Sequence, residues 1–281
     1  MKALFFAPPH VGLAGPKGGV LREMRSRAQT LEKADVSVEF HPLWAEIGWD
    51  RYDVAHLFCA NWETFSTAEF LARQIPLVVS PIIDRTQPNV LLRAYAALDG
   101  AIRGFHNHIG GAARVCRLAD RIVVRSTDEL SRVESGLGVR GKSRIILCPA
   151  DSISSVSPSR SRRTPPLVLF LGDMSNPRKN VCRLLEAAKP LECELVLAGE
   201  IPTANTLDEL RRLCNESGAR LLGPVDEAYK HQLLADCDIL ALPSLVEGVG
   251  LAAIEAGLRT KTIVITEFGG PRDYFQQFAY Y

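Results

Sequence analysis

The stretch Asp238–Gly257, DILALPSLVEGVGLAAIEAG, decides how the rest of the chain is read. DILALPS is an apolar run of strand length that ends on Pro243 and Ser244, and LAAIEAG reads as buried helix. Between them LVEGVG forms a strand-to-helix loop, with the helix beginning near Gly250, where the missing side chain lets a ligand approach the first backbone N–H groups. Glu247 stands at the rim of this loop, and Glu255 lies about five residues into the helix, roughly 7 Å farther along its axis. Ionised carboxylates only accept hydrogen bonds, so a pair of them suits a ligand bearing hydroxyls, and a vicinal diol fits the two-oxygen fork. Sugars and ribose carry such diols. The plain alternative has Glu247 as a helix-capping acid and Glu255 on a solvated face, although LAAIEAG is apolar on nearly every side.

The same alternation runs outward from this stretch, in the rhythm of a parallel sheet joined by helical crossovers. The series that contains it opens with PLVLFLGD (166–173) and a helix over Val181–Ala188, then CELVLAG (193–199). A helix over Thr206–Ser217, ARLLGPV (219–225) and a short helix over Glu227–Ala235 lead up to it, and KTIVIT (261–266) follows it. A separate, earlier series reads KALFFAP (2–8), VSVEFHP (36–42), DVAHLF (53–58), PLVVSPI (76–82), RIVVRS (121–126) and RIILCPA (144–150). Helical segments such as Leu21–Lys33 and Thr67–Arg73 lie between those strands. DSISSVSPSRSRRTPP (151–166) shows no apolar periodicity and reads as a linker. The expected fold is therefore α/β, two Rossmann-like doubly wound parallel-sheet domains at residues 1–150 and 167–281. Ligands of such sheets sit beyond the carboxyl ends of the strands, so two in tandem imply a cleft between domains.

Composition narrows the partners. With 281 residues, 47% of them hydrophobic, there is enough chain for proper cores. Thirty-three basic residues against thirty-two acidic ones give a net charge of +1, so no global field recruits nucleic acid. Seven cysteines without a Cys-x-x-Cys pair fit neither a disulfide framework nor a zinc site, which points to a reducing cytoplasm. The opening MKALFFAPPH is too short and too broken by Pro8 and Pro9 for a signal sequence. No metal site is expected: Asp236–Asp238 precedes its strand, whereas a metal-binding acid pair should follow one. The sequence has no Gly-x-Ser-x-Gly elbow, and GLAGPKGG (12–19), after the first strand, does not supply the Gly-x-Gly-x-x-Gly turn that a nicotinamide enzyme would want there.

The run from Glu247 to Glu255 resembles the Glu, seven residues, Glu signature of retaining nucleotide-sugar glycosyltransferases of the two-Rossmann-domain GT-B architecture, family 4 in particular. LFLGDMSNPRKN (169–180) is similar to that family's strand, glycine loop and Arg-Lys-Asn entry to the first helix of the C-terminal domain. Residues 234–275 resemble nearly its whole donor-binding core, including the Gly-Gly turn at Gly269 and Gly270, and LADRIVVRSTDEL (118–130) looks like late units of its N-terminal domain. The resemblance implies that an acceptor-side domain precedes a donor-binding one. It implies that Glu247 holds hydroxyls of the donor sugar, that Glu255 takes the nucleotide's ribose diol, and that the backbone of Gly248, Val249, Gly250 and Leu251 helps hold sugar and diphosphate. Arg178 and Lys179 would neutralise the departing diphosphate, a cationic role that can replace a metal ion. Gly172 and Val225 fall among its donor contacts, and Gly18 and Gly19, after the first strand, are where backbone approaches a phosphate or sugar.

The function so implied is metal-independent, cofactor-free transfer of a hexose, with retention, from a nucleoside diphosphate sugar to a hydroxyl acceptor: a glycan, a small molecule or a lipid-linked group. A noncatalytic nucleotide-sugar-binding relative is the alternative. Relatives that act on lipid-linked acceptors touch anionic membranes through basic faces, and arginines such as Arg114, Arg117, Arg121 and Arg125 are dense here. Asp173 stands where the family often has Arg after the glycine, and Ser80, Pro81 and Ile82 stand where many members carry a histidine. His56, His106 and His108 are substitutes only in principle. Tyr281 follows soon after the Gly-Gly turn, so the second domain reads as shortened.

Overall fold

Apolar runs without polar alternation need cover on both faces, and the strands of this chain sit in that way. In a computed structural model, which describes residues 1–13, 18–41, 46–101, 106–149, 163–201 and 204–281, they form separate parallel sheets in two units, Met1–Pro149 and Ala150–Tyr281. The stretch read as a linker lies outside the described residues as far as residue 162.

The first unit runs β1 (Lys2–Phe6), α1 (Pro9–Leu13), α2 (Gly19–Glu32), β2 (Ser37–Phe40), β3 (Val54–Phe58), α3 (Trp62–Leu71), β4 (Leu77–Ser80), α4 (Asn89–Leu98), α5 (His108–Leu118), β5 (Arg121–Val124), α6 (Thr127–Ser131) and β6 (Ser143–Ile145). Its sheet order is β2-β1-β3-β4-β5-β6. Strand β1 shows the two-faced burial directly: Leu4 and Phe6 join one core with Ala55 and Leu57, while Ala3 and Phe5 join another with Met24, Ala28 and Phe58. The third helix begins earlier than the apolar pattern over Thr67–Arg73 suggests, at Trp62. Its start is fixed by a reciprocal cap, Thr64 N–H donating to Asn61 Oδ1 at 3.0 Å and Asn61 N–H to Thr64 Oγ1 at 3.1 Å.

Beneath α2 the first unit buries a charge network. The Arg125 guanidinium donates to Glu129 at 3.0 and 3.1 Å and to Asp84 at 2.7 Å, and it lies 3.8 Å from Glu23. Arg27 Nε donates to Glu23 at 3.1 Å. Burial outweighs the attraction of Arg125 and Arg27 and raises the Glu23 pKa above its usual value. Arg125 is thus a buried structural cation and no part of a basic face, while Arg114 is drawn to Asp99 at 2.8 Å.

The second unit runs β7 (Leu167–Leu171), α7 (Val181–Ala188), β8 (Glu194–Ala198), α8 (Ala204–Ser217), β9 (Arg220–Gly223), α9 (Glu227–Asp236), β10 (Ile239–Leu242), α10 (Leu251–Gly257), β11 (Thr262–Ile265) and α11 (Pro271–Phe275). Its order is β11-β10-β7-β8-β9. The core is carried by side chains such as Val181, Leu185 and Ala188, one stripe of α7, packed with Phe170, Leu197 and Leu240 of the sheet. Winding proceeds outward from β7 through β8 to β9, then restarts on the other side of β7 with β10, so β7 and β10 flank the topological switch point. Tyr280 pairs in parallel with Val264 on the outer side of β11.

Candidate functional site

Ligands of an open parallel sheet bind where the strand order reverses, outside the carboxyl ends. The two loops that leave this point in the second unit are Gly172–Asn180 after β7 and Pro243–Gly250 after β10, and they hold most of the residues marked out by the sequence. A short 3₁₀ turn, Pro177–Lys179, delivers Arg178 and Lys179 into α7, its start capped by the Asn176 side chain, which accepts from Arg178 N–H at 3.0 Å.

Backbone and side-chain bonds knit the two loops together. Leu245 N–H donates to the Arg178 carbonyl at 2.8 Å, the Arg178 guanidinium to the Val246 carbonyl at 3.1 Å, and the Asn180 amide to the Pro243 carbonyl at 3.0 Å. At the centre Lys179 Nζ donates to Glu247 Oε2 at 2.7 Å, and Ser244 Oγ donates to the same oxygen at 2.9 Å. Lys179 and Glu247 side chains keep only 16% and 10% of their surface exposed, so this ion pair is shielded from water. Neither is a solvated residue at a helix end.

The backbone under Glu247 is fixed from a third loop. Glu247 N–H donates to the Phe268 carbonyl at 3.0 Å, and Gly270 N–H donates to the Glu247 carbonyl at 2.9 Å. Gly269 makes this crossing possible, since it has φ +101° and a Cβ there would stand 2.1 Å from the Glu247 carbonyl oxygen. Gly250 caps α10 at φ +78°, where a Cβ would stand 2.8 Å from Ile265 Cδ1. The helix therefore begins at Leu251, and Gly248 and Val249 are buried beside Glu247.

Glu255 lies one turn farther along α10, and its surroundings were not legible in the sequence. Lys230, a buried residue of α9, places Nζ 2.9 Å from Glu255 Oε2 and 3.2 Å from Oε1, and the same ammonium is 2.6 Å from Glu227. A lysine in a helical register looks like solvated surface, so nothing marked Lys230 in advance. Gly172 follows β7 and donates its N–H to the Ala198 carbonyl at 3.1 Å, and Val225 leads from β9 into the Asp226 cap of α9. Gly18 and Gly19 belong to the first unit, at the start of α2, with room for a Cβ at each: nothing lies within 4 Å. Of the histidines, His56 is buried and bonded to Ser80 Oγ at 2.9 Å; burial and the nearby Arg27 depress its pKa to about 3, so it is neutral. His106 stacks edgewise on Trp62 at 4.6 Å. Among the described residues no group of three or more His, Cys, Asp or Glu is spaced to hold a metal ion.

Known proteins share this architecture. Residues 165–277 match the family described as Glycosyl transferases group 1. The phosphatidyl-myo-inositol mannosyltransferase of Mycolicibacterium smegmatis is 26% identical over 225 residues, covering 77% of this chain and 54% of that protein. The chain thus spans about half the length of this curated relative. Sucrose-phosphate synthase from Thermosynechococcus elongatus superposes with a TM-score of 0.69 at 16% identity, over 98% of this chain and 83% of its own. Anabaena HepE, solved in complex with UDP-glucose, gives 0.61 at 18% identity over 97% and 82%. The chain has the GT-B fold of two parallel-sheet α/β domains, and within its second unit residues 165–277 are similar to the glycosyl transferases group 1 family.

Proposed function

We propose that this chain is a retaining glycosyltransferase that moves a hexose from a nucleoside diphosphate sugar to a hydroxyl acceptor without a metal ion or other cofactor. The observation that carries the proposal is the shielded Lys179–Glu247 pair, held at 2.7 Å across the switch point by the loops after β7 and β10. Both bonds to Glu247 fall on Oε2, so Oε1 takes a hydroxyl of the donor sugar in this reading. An ammonium has three N–H donors and spends one on Glu247, so Lys179 keeps donors for the diphosphate. Glu255 accepts the ribose diol, and Gly172, Val225 and the backbone of Gly248–Leu251 line the donor.

In the transfer step the bond from the anomeric carbon to the phosphate oxygen breaks with its electron pair left on the diphosphate. The acceptor hydroxyl oxygen bonds to the anomeric carbon on the same face and its proton passes to the departing phosphate oxygen. Arg178 and Lys179 offset the negative charge that grows on the leaving group, the electrostatic task a metal performs elsewhere. The name of the mycobacterial relative, a phosphatidyl-myo-inositol mannosyltransferase, supports a hexose donor and a lipid-linked acceptor. Among the described residues no helix is long and apolar enough to cross a membrane. The seven cysteines stand as free thiols, which supports a reducing, cytoplasmic setting.

A thermal-shift panel of UDP, GDP and ADP sugars tests donor binding: at least one should raise the melting temperature, and Glu255→Ala should abolish the shift. An equal response from both proteins refutes the assignment of Glu255. Turnover of the donor that binds, followed as release of nucleoside diphosphate, then separates enzyme from noncatalytic binder.

A further inference from the structure

We propose that Lys230 is the positioning residue of the nucleotide site, holding the Glu255 carboxylate in the orientation in which it accepts from the ribose hydroxyls. The inference rests on the reading of Glu255 as the ribose acid and adds to it a residue from a different helix.

Lys230 stands three residues after Glu227, on the same side of α9, and reaches across to α10. Its ammonium touches three carboxylate oxygens: Glu227 at 2.6 Å and the two oxygens of Glu255 at 2.9 and 3.2 Å. The contacts differ in setting. Glu227 is 59% exposed and its pairing is screened by water, whereas the Glu255 side chain is 19% exposed and that of Lys230 10%. A cation placed astride both oxygens of one carboxylate fixes the rotation of that group about its last bond. Oε2 is itself buried, on the Lys230 side, so the ribose is met at Oε1, which as a carboxylate oxygen keeps lone-pair capacity beside the ammonium. Withdrawing an ammonium from water costs free energy that an apolar side chain of similar length would not incur. A purely structural role at this position would be filled as well by methionine. What methionine cannot do is orient an acid.

The test compares each nucleoside diphosphate with its 2′-deoxy counterpart by calorimetric titration, using UDP, GDP and ADP, because the ratio of the two affinities reports how well Glu255 meets the diol. For the wild type the deoxy form should bind about tenfold more weakly, the loss of one hydrogen bond to a charged group. In Lys230→Met the ratio should fall to within about twofold of unity, as it should in Glu255→Gln, while Lys230→Arg, which keeps a cation, should retain most of it. A fraction of misfolded protein lowers titration stoichiometry but leaves the ratio intact, so partial unfolding does not mimic the result. If Glu255→Gln collapses the ratio and Lys230→Met leaves it at the wild-type value, the role of Lys230 is overturned and that of Glu255 stands. If Glu255→Gln also keeps the wild-type ratio, the ribose assignment fails and takes this inference with it.

Discussion

Replacing Lys179 with methionine keeps the length of the side chain and removes the cation from a pair whose members are mostly hidden from solvent. Deleting one partner of a buried ion pair typically costs about 3–5 kcal/mol, because the other charge is left in a poor dielectric. Here the Ser244 hydroxyl, 2.9 Å away, still donates to the stranded carboxylate. A hydrogen bond to a charged group is worth about 1.5–3 kcal/mol, so the expected loss of unfolding free energy is roughly 2 kcal/mol. Urea denaturation followed by circular dichroism measures it. The double variant Lys179→Met/Glu247→Gln should recover about half of that loss, because the amide carries no charge to strand. Transfer should suffer separately: with one cation fewer on the departing diphosphate, kcat/KM should drop about 10- to 150-fold. A Lys179→Met protein within about 0.5 kcal/mol of the wild type would show that the pair is not shielded as the geometry implies. A destabilised variant with unchanged kcat/KM would reduce Lys179 to a structural strut.

Three further outcomes follow from the same structure. Gly269→Ala should destabilise the second unit by about 2 kcal/mol or more and abolish the donor-induced thermal shift, because the methyl group meets the Glu247 carbonyl at 2.1 Å; a variant that melts and binds like the wild type counts against the crossing. His56, with a folded-state pKa near 3 against an ordinary 6.5, stays neutral in the folded chain while the unfolded chain takes up a proton. Stability should therefore be complete above pH 6.5 and decline as the pH falls toward 3, and an imidazole NMR titration that inflects near 6.5 contradicts this. Glu23 runs the other way: its folded pKa lies above the usual 4.5, so the folded state binds more protons and stability falls as pH rises through that window. Glu23→Gln should flatten this part of the profile in pH-dependent denaturation, and a profile superposable on the wild type argues against a burial-raised acid.

The strands were legible because buried parallel strands are written as unbroken apolar runs ending at Gly, Pro or a polar residue, and Leu167–Leu171 and Ile239–Leu242 are such runs. Gly250 announced the start of α10 for the same local reason. Charged residues were harder, since a charge in a helical register has one appearance in the sequence and two fates in the fold. Glu23 and Arg27, spaced four apart on α2, look like an exposed pair on a helix surface, yet both are buried against Arg125 and Glu129, which enter from the end of β5 and from α6. The same holds for Lys230. Only the packing of α9 on α10 decides that its ammonium meets Glu255 and not water.

A sequence motif of two acids eight residues apart is therefore half of a site. Each acid is answered by a lysine that the motif does not contain: Lys179 lies 68 residues before Glu247, and Lys230 lies 25 before Glu255. The order of the sheet produces the first pairing, because β7 and β10 are neighbours only when the chain restarts its winding on the far side of β7. Helix packing produces the second. Two lysines on two different elements also give each acid its own cation, so under the proposed function a nucleoside diphosphate sugar that engages both would meet one cation at its phosphates and another beside its ribose. Loss of Lys179 should on this account weaken turnover more than binding of the bare nucleoside, and loss of Lys230 should do the reverse. Identical effects of the two substitutions on both measurements would mean that the acids share one undivided anionic site and that the division of labour drawn from the geometry is wrong.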